Sequence, residues 1–103
     1  MPQKESNSKP KYVIVRCRNA GVHAGEYVKH SGQEVTLTNS RRIWYWSGAA
    51  SLSELAVRGA KNVANCKFAP QVSDIVLLDA CEIITCTPEG EKMIRLCPEW
   101  SAR

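Results

Sequence analysis

Residues 73–85 read SDIVLLDACEIIT, the densest β-forming stretch in the chain. Its Ile, Val and Thr side chains favour extended backbone, because a branched Cβ crowds a helix and packs well on a pleated surface. The length suits two strands or one long bent strand, with the break at Asp79-Ala80, and it makes β-structure the basis of the fold. Downstream, Pro88 to Leu96 is suited to a last helical turn or two. Pro88 pre-sets the first turn and Glu89 and Glu91 favour its positive end. Met93, Ile94 and Leu96 are then expected to face inward.

Upstream, Ala60–Pro70 shows no period and reads as loop. Before it, Ser51-Leu52-Ser53-Glu54 matches a capping box, with the Ser51 hydroxyl offered to an orphan amide and Glu54 reaching back. Leu52, Leu55 and Ala56 share one face of a short helix that Gly59 stops. Two turns are not stable alone, so this helix must dock on the sheet. Further back, Arg41–Trp46 resumes a strand after Asn39-Ser40. Glu34–Thr38 alternates, Val35 and Leu37 inward, Thr36 and Thr38 outward. The turn His30-Ser31-Gly32-Gln33 joins it to Glu26–Lys29, with Gly32 free to take positive φ. Gly21 and Gly25 bracket either a turn or a bulge. The first strand is Tyr12–Cys17 (YVIVRC), with Val13 and Val15 on one face and Tyr12 and Ile14 on the other. The expected fold class is mainly β. It is a small antiparallel meander or partly open barrel, with one short helix packed on it and room for a short C-terminal helical segment.

A chain of 103 residues, 44% apolar and 23% charged, holds one hydrophobic core. Residues 1–11, MPQKESNSKPK, are too polar to join that core and are expected to form a flexible tail. Residues 12–100 form the single β-rich domain and residues 101–103 its C-terminal end. No stretch is long and apolar enough for a membrane span, and no apolar core follows the N-terminal lysines as in a secretory signal. A soluble cytoplasmic protein without a membrane partner is expected.

The cysteines are Cys17, Cys66, Cys81, Cys86 and Cys97. An odd number with no CxxC pair argues for reduced thiols and against a structural metal. Cys17 and Cys81 lie in apolar strand patterns and are expected to be buried. A zinc site would have to be assembled from distant cysteines with His23 or His30, so neither metal nor cofactor is expected. Both histidines fall beside glycines or in a turn, where exposure is the simpler reading. Cys66 precedes Lys67, which favours a thiolate, yet no histidine is near it in sequence to complete an activated pair. Glu82 alternates outward between Cys81 and Ile83. There is no Walker loop, GxGxxG, HExxH or GxSxG, and no catalytic residue is nominated.

The segment that stands out is Arg41-Arg42-Ile43-Trp44-Tyr45-Trp46. Guanidinium groups grip phosphates and carboxylates, and indole faces stack on bases or accept cations. In a strand, Arg42, Trp44 and Trp46 share one face and Arg41, Ile43 and Tyr45 the other. Ile43 marks the second as the core face, which turns both tryptophans outward or into a subunit interface. Against this stands the ordinary reading, in which aromatics of a small β protein simply pack its core. Arg41, Arg42, Trp44, Tyr45 and Trp46 are the candidate binding or interface residues. Self-association is the first expected use. A host protein or a nucleotide-type ligand is the next, and the net charge of +4 gives only weak support to nucleic acid.

The run RRIWYWSGAASLSELAVRGAKNVANCKF, with VIVRCRNAGVHAGEYVKHSGQEVTL before it and IVLLDACEIITCTPEGEKMI after it, resembles a family of small functionally uncharacterised proteins of tailed bacteriophages and prophages. The resemblance spans about Tyr12 to Ile94 and leaves the polar tail apart. It implies an accessory phage protein made in the cytoplasm of an infected bacterium, and it assigns no activity to any residue. A non-enzymatic protein that binds a host protein or nucleotide-type ligand, with counter-defence as one use, is the resulting expectation. The alternative is a virion-associated structural protein that assembles through the same aromatic surface.

Overall fold

The computed structural model describes residues 10–102, so of the expected tail only Pro10 and Lys11 fall within the described residues. Strand β1 (Tyr12–Cys17) runs antiparallel between β2 (Val22–Ser31) and β6 (Ala80–Thr85). Its position accounts for its composition. A central strand covered on both faces needs apolar side chains at successive positions, and Tyr12, Val13, Ile14 and Val15 are all buried. Tyr12 and Ile14 enter one core while Val13 and Val15 enter another.

β2 passes through Gly32-Gln33, with Gly32 at φ +58°, into β3 (Glu34–Tyr45). The interruption read at Asn39-Ser40 is a bulge within one 12-residue strand. Ala24 pairs with Arg41 and Glu26 with Thr38, so Asn39 and Ser40 together face Gly25 alone. Asn39 takes φ +46°, and a Cβ on Gly25 would lie 2.9 Å from that of Ser40. Gly25 is therefore the bulge partner. One extra residue reverses the side-chain alternation. Val35 and Leu37 face the same core as Val13, whereas Ile43 faces that of Ile14, although all three β3 positions are odd.

SDIVLLDACEIIT forms two strands, β5 (Val72–Leu77) and β6, separated at Leu78-Asp79. They do not pair with each other. β5 lies against β3 and β6 against β1, so the chain crosses between two separated strands of the sheet. A short β4 (Lys67–Phe68) pairs with the end of β3, inside the segment expected to be loop, and Phe68 is fully buried. The six strands make one curled sheet that does not close into a barrel. Val13, Val15, Cys17, Val35, Leu37 and Leu77 form the core within the curl.

Two helices cover the other face. In α1 (Leu52–Arg58) the Ser51 hydroxyl accepts the Glu54 amide at 3.2 Å. The Glu54 carboxylate reaches the Ala50 amide at 2.7 Å, one residue before the expected partner. α2 (Pro88–Leu96) is capped by Thr87, whose hydroxyl accepts the Gly90 amide and donates to the Val57 carbonyl at 2.6 Å. Leu55, Ala56 and Ile94 form the second core with Tyr12, Ile14, Ile43 and Phe68. Met93 packs at its edge, but Leu96 is 70% exposed, contrary to expectation. Two residues of helix turn the side chain by about 200°, so Ile94 and Leu96 cannot face the same core.

Candidate functional site

Successive strand residues face opposite ways, and the bulge before Arg41 sets which way: Arg41 faces the helices and Arg42 the other side. Arg41 is 5% exposed and lies under the end of α2. Its Nε donates to the Ala69 carbonyl at 2.8 Å, and Nη2 to that of Phe68 at 3.0 Å. Nη1 donates to Ile94 at 2.8 Å and Cys97 at 2.7 Å. A buried guanidinium needs such partners, and carbonyls at a helix C-terminus carry the negative end of the helix dipole. This side chain ties α2 to β4.

Arg42 is half-buried and lies 4.7 Å over the Trp44 ring, with Nη2 donating to the Ala20 carbonyl. Trp44 is 57% exposed and meets Trp100 edge-on at 6.3 Å between ring centroids. Lys67 Nζ lies 5.4 Å over the Trp100 ring. The result is a surface row, Lys67, Trp100, Trp44, Arg42, in which two exposed indoles are flanked by two cations. Tyr45 is also exposed. Trp46 departs from expectation: β3 ends at Tyr45, and the next residue turns back to pack on the helix-side core. Trp100 carries no sequence period. It reaches Trp44 because Phe68 and Glu99 pair in parallel and the Trp100 amide donates to the Phe68 carbonyl at 2.9 Å.

Beside Arg42 opens a shallow groove of about 570 Å³, lined among others by Asn19, Ala20, His23, Leu77 and Asp79. His23 is 4% exposed, not exposed as its neighbouring glycines suggested, because it faces into the curl. Burial pushes its pKa down, assisted by Arg42 and opposed by the Ala20 carbonyl 2.8 Å from Nε2. The imidazole is thereby favoured in its neutral form. Asp79 accepts the Asn19 amide at 2.6 Å.

A second polar cluster joins the sheet to α2. Arg95 lies 4.5 Å over the Tyr12 ring and pairs with Glu91 at 2.7 Å and Glu26 at 3.0 Å. Thr38 and Asn39 also donate to Glu26, each at 3.0 Å. Burial pushes the Tyr12 hydroxyl up to about 12. Elsewhere, His30 is exposed as expected, with Nδ1 2.6 Å from the Tyr27 hydroxyl, and exposed Glu82 pairs with Arg16 at 2.9 Å. Cys17 is buried, but Cys81 is exposed: Arg16 pairs with Glu82 and Cys17 with Ala80, so Cys81 is the extra residue of a bulge and has no partner across the strands. Among the described residues, no three His, Cys, Asp or Glu side chains converge as a metal set, and no helix is long and apolar enough to cross a membrane.

Fold and surface together define a small domain with a curled antiparallel sheet, two helices on one face, and a cation-flanked indole pair at one end. The chain belongs to the family described as a domain of unknown function, DUF6948, which matches residues 10–94. The matched region includes Arg42, Trp44 and Lys67, and Trp100 lies beyond it. No curated protein and no solved structure matches the chain.

Proposed function

We propose that this is a non-enzymatic binding protein that grips an acidic protein partner through the row Lys67, Trp100, Trp44 and Arg42. The exposure of two adjoining indoles between two cations carries the reading. Tryptophan and arginine are the usual anchors of protein interfaces, the first by the large rigid area it buries and the second by its planar fork of donors. The cations point to the partner's charge: within the described residues neither Arg42 nor Lys67 is paired with a carboxylate. In the phage setting that the sequence resembles, the partner is a host protein met in the infected cytoplasm. A nucleotide-type ligand is the second reading, favoured by the groove beside Arg42, where a phosphate would meet the guanidinium.

The test is capture from infected cells by the wild type, Trp44→Ala and Trp100→Ala proteins, each also measured for melting temperature and mass in solution. Capture of one host protein that falls at least tenfold in both variants, weakens in high salt and leaves melting nearly unchanged is the expected result. Screening of the cationic ends accounts for the salt effect. A wild type that instead forms dimers lost in both variants assigns the row to self-association. Recovery in purified particles assigns it to the virion. A nucleotide carried along and lost in Arg42→Ala supports the second reading. If Trp44→Ala unfolds the domain, or every variant captures the same partner as well as wild type, the row is not the working surface.

A further inference from the structure

Cys66 and Cys97 occupy matching positions on two chain segments that run side by side. Phe68 and Glu99 pair in parallel, and two residues back along each segment lie Cys66 and Cys97. Both have extended backbone, at φ −80°, ψ 148° and φ −61°, ψ 129°. The Arg41 guanidinium holds the Phe68 and Cys97 carbonyls together, and the Trp100 amide adds its bond to Phe68. Neighbouring strands lie about 4.8 Å apart. That spacing falls inside the Cα separation of about 4.4–6.8 Å that a disulfide spans. Both thiols enter the helix-side core. The remaining cysteines are placed differently. Cys17 lies in the other core and Cys81 is exposed, while Cys86 follows β6 and borders the helix-side core but is on neither of the two paired segments.

We propose that Cys66 and Cys97 are an oxidisable dithiol that closes to a disulfide with a hydroperoxide as oxidant. The Cys66 thiolate attacks a peroxide oxygen, the O–O bond breaks, and a sulfenic acid and hydroxide result. The Cys97 thiolate then attacks the Cys66 sulfur, forming the S–S bond as the S–O bond breaks and a second hydroxide leaves. The two thiol protons neutralise the two hydroxides. Two thiols and one hydrogen peroxide thus become one disulfide and two waters, a two-electron oxidation of the protein. Burial, with Cys66 beside it, raises the Cys97 thiol pKa and leaves less of it as thiolate, so its attack depends on the sulfenic acid being held next to it, as the second step provides. The bond would tie the segment carrying Trp100 to the strand carrying Lys67. The inference rests on this local geometry and is independent of what the surface binds.

Treatment of the full chain with hydrogen peroxide, followed by thiol counting and non-reducing peptide mapping, tests it. The expected result is loss of two of the five thiols, a peptide joining Cys66 to Cys97, and a rise in melting temperature reversed by dithiothreitol. In Cys97→Ser, Cys66 should stop at a sulfenic acid trapped by dimedone. The wild-type map decides even if that variant fails to fold. Cys66 and Cys97 recovered as separate thiols or sulfinic acids, or either joined instead to Cys86 or Cys81, would overturn the proposal.

Discussion

Arg41 and Arg42 are neighbours in sequence with unlike work. Removing the Arg41 guanidinium leaves the carbonyls of Ala69, Ile94 and Cys97 without that donor in a buried setting. Each unsatisfied buried group costs about 1–3 kcal/mol. Arg41→Met should therefore destabilise the domain by about 3 kcal/mol or more in urea titrations. Arg41→Lys should recover little of that loss, since one ammonium cannot span the positions reached by a planar fork. Arg42→Ala loses mainly a surface contact with Trp44, about 0.5–1 kcal/mol. Equal stability of Arg41→Met and wild type would show that the guanidinium is not the tie described above.

The two helices depend on each other more than on their own propensities. Gly90 sits in the first turn of α2 directly against the Ala56 carbonyl of α1, so an added Cβ would overlap main-chain atoms. Helix propensity favours alanine over glycine by about 1 kcal/mol in a helix interior. The close approach opposes it, because main chain cannot rotate out of the way as a side chain can, and overpacking costs about 1–3 kcal/mol. Gly90→Ala is expected to lower the melting temperature, with the helices forced apart. A more stable variant would mean that the helices are not so closely packed.

At the scale of the whole molecule, Glu26 on β2 and Arg95 on α2 link the sheet to its helical layer. Burial pushes the Glu26 carboxyl up, but hydrogen bonds from Arg95, Thr38 and Asn39 outweigh it and hold the pKa below the ordinary 4.5. Below that value the unfolded chain takes up a proton that the folded protein still refuses. Stability is therefore present above about pH 4.5 and is lost as pH falls through the lower folded value. Glu26→Gln should be less stable than wild type at pH 7 and show a shallower decline below pH 4.5. Parallel urea titrations between pH 7 and 3 check this, and identical pH profiles would remove Glu26 from the account.

Local chemistry determined much of the fold from the chain alone. The branched residues of Tyr12–Cys17 and residues 73–85, the turn at Gly32, the cap at Ser51 and the proline at Pro88 each act within a few residues. Their strands, turn and helices are therefore legible one by one. Which strands pair is not a local property, so the divergence of β5 to β3 and of β6 to β1 was decided only by tertiary packing. The same holds at the candidate site. Alternation correctly put Ile43 inside and Trp44 outside, but it could not reveal that Asn39 and Ser40 share one partner. That bulge shifts Arg41 to the helical face, while the end of β3 frees Trp46 to fold inward. Trp100 joined Trp44 through a pairing between distant segments, because a contact across the fold leaves no period in the sequence.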